Sequence, residues 1–256
     1  MARERLEIVR RYGLSAFSVI VFFLVWDLLA VVAHSAYLPR PYAVLRAFAT
    51  SWVERDFLGF YIGQHVLASL GRIFYGFGLA AVIAIPLGLL AGWFILVERI
   101  TGPIVELIRP IPPLAWIPFA IYYFREPFDA VFIVFLAAFF PILLSTVGGV
   151  KGIDTILIDA ARTLGARNLQ LFTKVAIPAS LPQIMTGARI GLGVGWMSIV
   201  AAEMVGVRGG GLGYYIWSMS EVGSFDFVFS GMILIGLVGV AMMGGLQYLE
   251  RRLARA

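Results

Sequence analysis

Residues 66–92 read VLASLGRIFYGFGLAAVIAIPLGLLAG, a run in which Arg72 is the only charged residue. A helix needs roughly 20 mostly apolar residues to cross the hydrocarbon of a bilayer, so this stretch is long enough to span. Small residues recur along it at every fourth position, at Gly76, Ala80, Ala84, Gly88 and Gly92. That spacing lines one helix face, where backbones approach closely and dispersion replaces the missing hydrophobic drive. Gly187, Gly191 and Gly195 repeat the stripe further on. Both stretches predict membrane helices packed against neighbours in a compact bundle.

The rest of the chain agrees. Hydrophobic residues make up 61% and charged residues 14%, with mean hydropathy +0.91. Soluble domains average about 45–50% apolar and about 25% charged. A fold of 256 residues has no interior large enough to hide that excess. The expected class is therefore all-α and integral to a membrane, with about six spans near 14–33, 66–92, 104–124, 128–150, 183–206 and 227–248. Pro110, Pro112, Pro113 and Pro118 interrupt the third, which is expected to be bent and packed inside protein. The first follows a basic prelude, and its length favours an uncleaved anchor over a signal peptide.

Cysteine is absent, which excludes disulfides and thiolate metal sites. His34 and His65 stand far apart, so no metal centre is expected. A net charge of +5 could point to nucleic acid, but the placement of the charges assigns them to orientation. With the N-terminus inside, twelve Lys and Arg fall on the inner side: Arg3, Arg5, Arg10, Arg11, Arg99, Lys151, Arg162, Arg167, Lys174, Arg251, Arg252 and Arg255. Five fall outside: Arg40, Arg46, Arg55, Arg125 and Arg208. This asymmetry predicts cytoplasmic termini.

Residues 151–182 lie on the inner side between the fourth and fifth spans, long for a plain connection. Ile153, Ile156, Leu157, Ala160, Ala161 and Leu164 fall at helical spacing. Asp154 suits an N-cap, and Gly165 the left-handed residue that ends a helix. A second short helix, 168–176, is expected to present Leu171, Phe172 and Val175, with Pro178 and Pro182 stopping it. The pattern predicts two short helices meeting at a glycine elbow.

Asp159-Ala160-Ala161-Arg162-Thr163-Leu164-Gly165, followed by Val175-Ala176-Ile177-Pro178, resembles the EAA loop of ATP-binding-cassette importer permeases. Both alanines, the glycine and the proline stand at the family's spacing. Asp159 replaces the usual Glu, Val175 the Ile and Ile177 the Leu. The run from Glu106 to Pro118, and Gly191-Leu192-Gly193-Val194-Gly195-Trp196 with Val200-Ala201-Ala202-Glu203, are similar to the nitrate, sulfonate, taurine and bicarbonate branch, with taurine permeases nearest. The resemblance covers roughly residues 60–250.

It implies a type I ABC importer permease (MetI-like) fold in a bacterial cytoplasmic (inner) membrane. Residues 1–60 would hold the cytoplasmic N-terminus, anchor and periplasmic loop. Residues 61–250 would form a five-helix core with the coupling loop 151–182, and 251–256 a basic tail. Implied partners are two ATPase subunits, a second copy of the permease and a periplasmic or lipid-anchored substrate-binding protein meeting loops 34–64 and 207–226. Asp159, Ala160, Ala161, Arg162, Leu164, Gly165 and Pro178 are the implied ATPase contacts.

The chain carries no phosphate-cradling G-x-x-x-x-G-K-[ST] sequence before Lys151 or Lys174, so ATP and Mg belong on the partner and no cofactor is expected here. No convergent acids and bases suggest an enzyme. An autonomous channel or secondary transporter is the competing class, and it would need no elbow. Ionised groups within spans usually face protein or water. The candidates for a path taken by a small anion are therefore Arg72, Arg109, Arg189 and Glu203, with Trp116, Tyr122 and Trp196. Arg109 and Arg189 have snorkelling open to them as another role, and Glu203 has a pairing with Arg72.

Overall fold

The structure, a computed structural model, describes residues 2–57, 59–206 and 209–253, with side chains from residue 13 onward apart from Leu249 and Leu253. Arg208, Arg255 and the tail residues 254–256 lie outside the described residues, as do the side chains of Arg3, Arg5, Arg10 and Arg11. In chain order the helices are α1 (Ala2–Ala33), α2 (Pro41–Thr50), α3 (Ile62–Trp93), α4 (Ile95–Ile108), α5 (Ile117–Tyr123), α6 (Phe128–Lys151), α7 (Thr155–Thr163), α8 (Asn168–Leu171), α9 (Ile177–Val205), α10 (Leu212–Glu221) and α11 (Phe225–Leu253). A 3-10 turn, Pro113–Trp116, precedes α5, and a π turn, Phe172–Ala176, joins α8 to α9. There is no strand among the described residues. Five helices are long and apolar enough to cross a bilayer, or six if the bent α4–α5 pair is one span. The all-α, many-span expectation holds.

Packing divides the chain into two units, Met1–Ile62 with Tyr215–Leu234 and Gly63–Tyr214 with Ile235–Ala256. In the first, α1 leaves Phe17, Phe22, Leu24 and Val32 exposed, a surface suited to lipid. Its far end is pinned by polar contacts. The Trp26 indole donates to the Pro39 carbonyl at 3.1 Å, and Arg40 makes two bonds to Asp27 at 2.8 and 2.9 Å. The segment after it is ordered by α2, which starts on Pro41 and buries Val44 and Ala47.

In the second unit α6 lies between α3 and α9. A Cβ on Gly76 would sit 2.5 Å from Val134, one on Gly88 2.7 Å from Thr146, and one on Gly92 2.6 Å from Val150. Between them Ala80 and Ala84 are fully buried against Ala138, Ile142 and Leu143. On the other side a Cβ on Gly187 would meet Ser145 at 2.5 Å, and one on Gly191 the Ala138 carbonyl at 2.9 Å. The two small-residue stripes read from sequence are these two seams.

Two expectations need correction. The third span is bent as expected, but it is not confined to 104–124. It begins with α4 at Ile95, and α4 and the 113–123 segment meet at 82°. Prolines 110, 112 and 113 remove three amide donors in succession, so the helix ends rather than kinks. Its packing is divided: α4 buries no residue, whereas α5 buries Ile117 and Ala120. The second correction concerns Pro178 and Pro182, which do not stop a helix. Pro178 follows the π turn Phe172–Ala176, a local adjustment of the kind that accommodates a missing N–H in a membrane helix, and Pro182 is tolerated one turn on. Helix therefore runs from Asn168 to Val205. Leu171 is buried rather than presented, and Phe172 packs 5.7 Å from Trp93 and 6.0 Å from Phe94.

Substitutions at two glycines should differ in sign. Gly187→Ala must push α6 from α9 and is expected to cost about 1–3 kcal/mol, as overpacking does. Gly236→Ala meets nothing within 4 Å and should be neutral or stabilising. Thermal unfolding in detergent checks both.

Candidate functional site

Three polar residues on α3, His65, Ser69 and Arg72, stand four and three positions apart and so share a face. All three are buried, and all turn toward the end of α9, where Glu203 is fully buried. Arg72 Nη1 donates to Glu203 Oε1 at 2.9 Å. Ser69 Oγ lies 2.9 and 2.8 Å from the two carboxylate oxygens and donates to that group. The pairing of Glu203 with Arg72 read as open from sequence is present.

The same cluster holds the glycine loop that follows α9. Gly213 N donates to Glu203 Oε2 at 3.1 Å, Leu212 N to Ser69 Oγ at 2.9 Å, and Gly211 N to His65 Nδ1 at 3.0 Å. Arg72 Nη1 also donates to the Gly210 carbonyl at 2.6 Å. Gly209, Gly210 and Gly211 have φ of +85°, +79° and +123°, a region open to glycine and costly for other residues. A Cβ on Gly211 would run into the Glu203 carboxylate, and one on Gly213 into the Val200 carbonyl. Chain and carboxylate therefore meet at a distance that only glycine allows.

The other sequence candidates are dispersed. Arg189 is paired with Glu250 of α11. Trp196 is buried with its indole against Gly239. Arg109 is exposed and lines a cavity of about 380 Å³ with Ile111, Pro113, Phe140, Ser145 and Ile190. Trp116 lies edge-on to Phe119 and Phe132, and Tyr122 is exposed. Arg72 and Glu203 are thus brought together, and the rest are not. His65, Ser69 and the glycines 210–213 escaped the sequence reading. The i, i+4, i+7 polar face in a lipid-length helix was the signal that could have found them. Among the described residues no three His, Cys, Asp or Glu side chains group to hold a metal ion.

At the elbow, Asp154 Oδ1 accepts the Ile156 amide at 2.9 Å and so caps α7. Gly165, with φ +86°, ends that helix. Its amide donates to the Arg162 carbonyl at 2.8 Å, and the Ala166 amide donates to the Ala161 carbonyl at 3.0 Å. Both ends are fixed as the sequence predicts. Asp159 and Arg162 face one another at 3.6 Å on the exposed side, and α7 buries no residue. In the first unit a cavity of about 260 Å³ is walled by Glu54, Arg55, Asp56, Phe60 and Tyr215. Burial pushes the Tyr215 phenol up to about 12.

These features define a multi-pass helical membrane protein with a built inter-helix polar cluster and an exposed, doubly capped elbow. The chain matches the family of binding-protein-dependent transport system inner membrane components over residues 84–255 and belongs to it: it is an ABC-importer permease of the nitrate, sulfonate, taurine and bicarbonate type, whose helices form a translocation path. It is 42% identical to a putative ABC transporter permease protein of Methanocaldococcus jannaschii, over 95% of this chain and 90% of that protein. It is 36% identical to the taurine transport system permease protein of Escherichia coli, over 97% and 91%. With the nitrate import permease protein of Leptolyngbya laminosa the identity is 33%, over 95% and 88%. These values do not single out taurine. A chain of the MetNI methionine ABC transporter, in an inward-facing conformation, shares the fold with TM-score 0.64 and 22% identity, over 75% of this chain and 95% of that one.

A double-mutant cycle measures the cluster. Glu203→Ala leaves buried Arg72 with the longer carboxylate contact to Glu126, at 3.7 Å, and should cost about 3–5 kcal/mol, whereas Arg72→Met with Glu203→Leu should recover most of that. Melting temperatures that simply add would contradict the pairing.

Proposed function

We propose that this permease imports a small anionic solute and is driven by two separate ATPase subunits that grip the elbow formed by Asp159, Ala160, Ala161, Arg162, Leu164, Gly165 and Pro178. The observation that carries this reading is an apolar face that the described residues leave uncovered. Ile156 is 71% exposed, Leu157 53% and Leu164 88%, on a helix rigidly capped at both ends. Such a face suits insertion into a groove of another protein. The charge asymmetry of the loops supports cytoplasmic termini and an inward elbow. A second copy of the chain and an external binding protein complete the assembly, the latter meeting the segments near α2 and α10. ATP and Mg are held by the ATPase.

Support for an anion comes from Arg109 on its cavity wall, beside the proline-broken segment with Trp116 and Tyr122, and from the taurine and nitrate permeases among the relatives. Taurine, alkanesulfonates, nitrate and bicarbonate are the solutes to compare.

Ile156→Asp with Leu164→Asp should reduce co-purification of the partner ATPase by about tenfold or more, the scale of lost anchor residues. Uptake should fall with it. Uptake by the purified chain without nucleotide would instead make it an autonomous channel or secondary transporter. In the assembled complex, Arg109→Gln is expected to raise the solute concentration for half-maximal uptake about tenfold, the value of one charge-assisted hydrogen bond. Unchanged uptake would remove Arg109 from the path.

A further inference from the structure

Glu203 has no role in the reading above. It is fully buried, satisfied on both oxygens, and faces Arg72 and Ser69 rather than a cavity. Its position in the chain gives it one. The helix that ends two residues after it begins at Asn168, beside the elbow, and runs unbroken for 38 residues. That is a rod of about 55 Å. At its elbow end Leu171 and Ala176 are buried and Phe172 packs on Trp93 and Phe94, at the last turn of α3. At its other end Glu203 meets Ser69 and Arg72, near the first turns of α3. Between these ends α6 is pressed against both helices at backbone distance. Helices packed this closely move as one block, because no side-chain slack lies between them.

The loop beyond Val205 has the opposite character. Its glycines 209–211 have no side chains to pack, and their positive φ gives them no stiffness of their own. Its position is set by hydrogen bonds from Gly211, Leu212 and Gly213 to His65, Ser69 and Glu203, and by Arg72 on the Gly210 carbonyl. Glu203 joins the rod to both the arginine and the loop.

We propose that Glu203, through Arg72 and Ser69, is a positioning residue for transport: it latches the glycine loop 209–213 to the α3–α6–α9 block, so that displacement of the elbow reaches that loop, on the far side of the membrane, without loss. This rests on the elbow being the ATPase contact. A carboxylate suits a latch because it accepts several hydrogen bonds at once, from a guanidinium, a hydroxyl and a backbone amide. The adjoining glycines allow the chain to reach it.

The test uses the complete complex of permease, ATPase and binding protein in nanodiscs, carrying Arg72→Met with Glu203→Leu. Hydrogen exchange is read at the amides of 211–213, beside ATPase co-purification, basal hydrolysis, binding-protein-stimulated hydrolysis and uptake. The latch predicts unchanged co-purification and basal hydrolysis, exchange at those amides about tenfold faster, and stimulated hydrolysis and uptake about tenfold lower, the scale of one lost buried hydrogen bond. Faster exchange with normal uptake and stimulation would reduce the cluster to a structural role and overturn the proposal, as would unchanged exchange. Should the double variant fail to assemble, Ser69→Ala decides the matter in the same readouts. It removes the bonds to Leu212 and Glu203 while keeping the ion pair, and is expected to give about a threefold loss of stimulation. Failure of the wild-type chain to bind any ATPase would count against the elbow reading itself, and is visible before any variant is made.

Discussion

Lipid gives apolar helices no reason to hide from it, so what holds this chain's second unit together is the closeness of approach between helix backbones. Dispersion falls off steeply with separation, and a gap of half an ångström already forfeits much of each contact. Gly76, Gly88 and Gly92 let Val134, Thr146 and Val150 of α6 reach the α3 backbone, while Gly187 and Gly191 admit Ser145 and Ala138 from the other side. The seams also satisfy their few polar groups locally. Thr146 Oγ1 donates to the Ile142 carbonyl at 2.7 Å, and Ser180 Oγ to the Ile177 carbonyl at 3.0 Å. Neither needs water, which the surroundings cannot supply.

Charge within this framework follows the same economy. An arginine at membrane depth costs about 2.5–3.5 kcal/mol on insertion scales unless it is paired or hydrated. Arg72 meets Glu203 and Arg189 meets Glu250, each within the same unit. Arg109 differs, since no carboxylate pairs with it among the described residues and it stands on a cavity wall. The contrast separates arginines that organise helices from one that stands open on a cavity wall.

Much of this was legible because the physics is local. Four-residue stripes of small side chains announce helix seams, and both stripes in the sequence became seams. Asp154 and Gly165 announced the ends of α7 by the hydrogen bonds such residues make, and those bonds are present. Legibility failed where the outcome depends on what lies across space. Prolines signal that something breaks, yet Pro110, Pro112 and Pro113 ended a helix while Pro178 and Pro182 were absorbed into one. The difference lies in whether a local adjustment such as the π turn before Pro178 is available, which spacing does not reveal. Leu171 and Phe172 looked like an exposed face because α3 ends far away in sequence, although Trp93 and Phe94 cover them. The partners of His65 and Ser69 lie more than a hundred residues downstream. Only their shared face on α3 marked them.

The division between rigid and adaptable parts then has a physical meaning. Close-packed glycine seams tolerate few intermediate arrangements, because small displacements open voids that nothing fills. A block built this way transmits force instead of absorbing it. Adaptability is confined to what the block leaves unfinished: the right-angled junction of α4 with α5, the uncovered face of α7, and a glycine loop held only by side-chain hydrogen bonds. Those bonds are few and each one to a charged group is worth about 1.5–3 kcal/mol, so the joint is firm while made and small enough to be remade. A chain that must pass a solute and return needs stiff levers and joints that can be remade, and the seams and the glycine loop supply one of each.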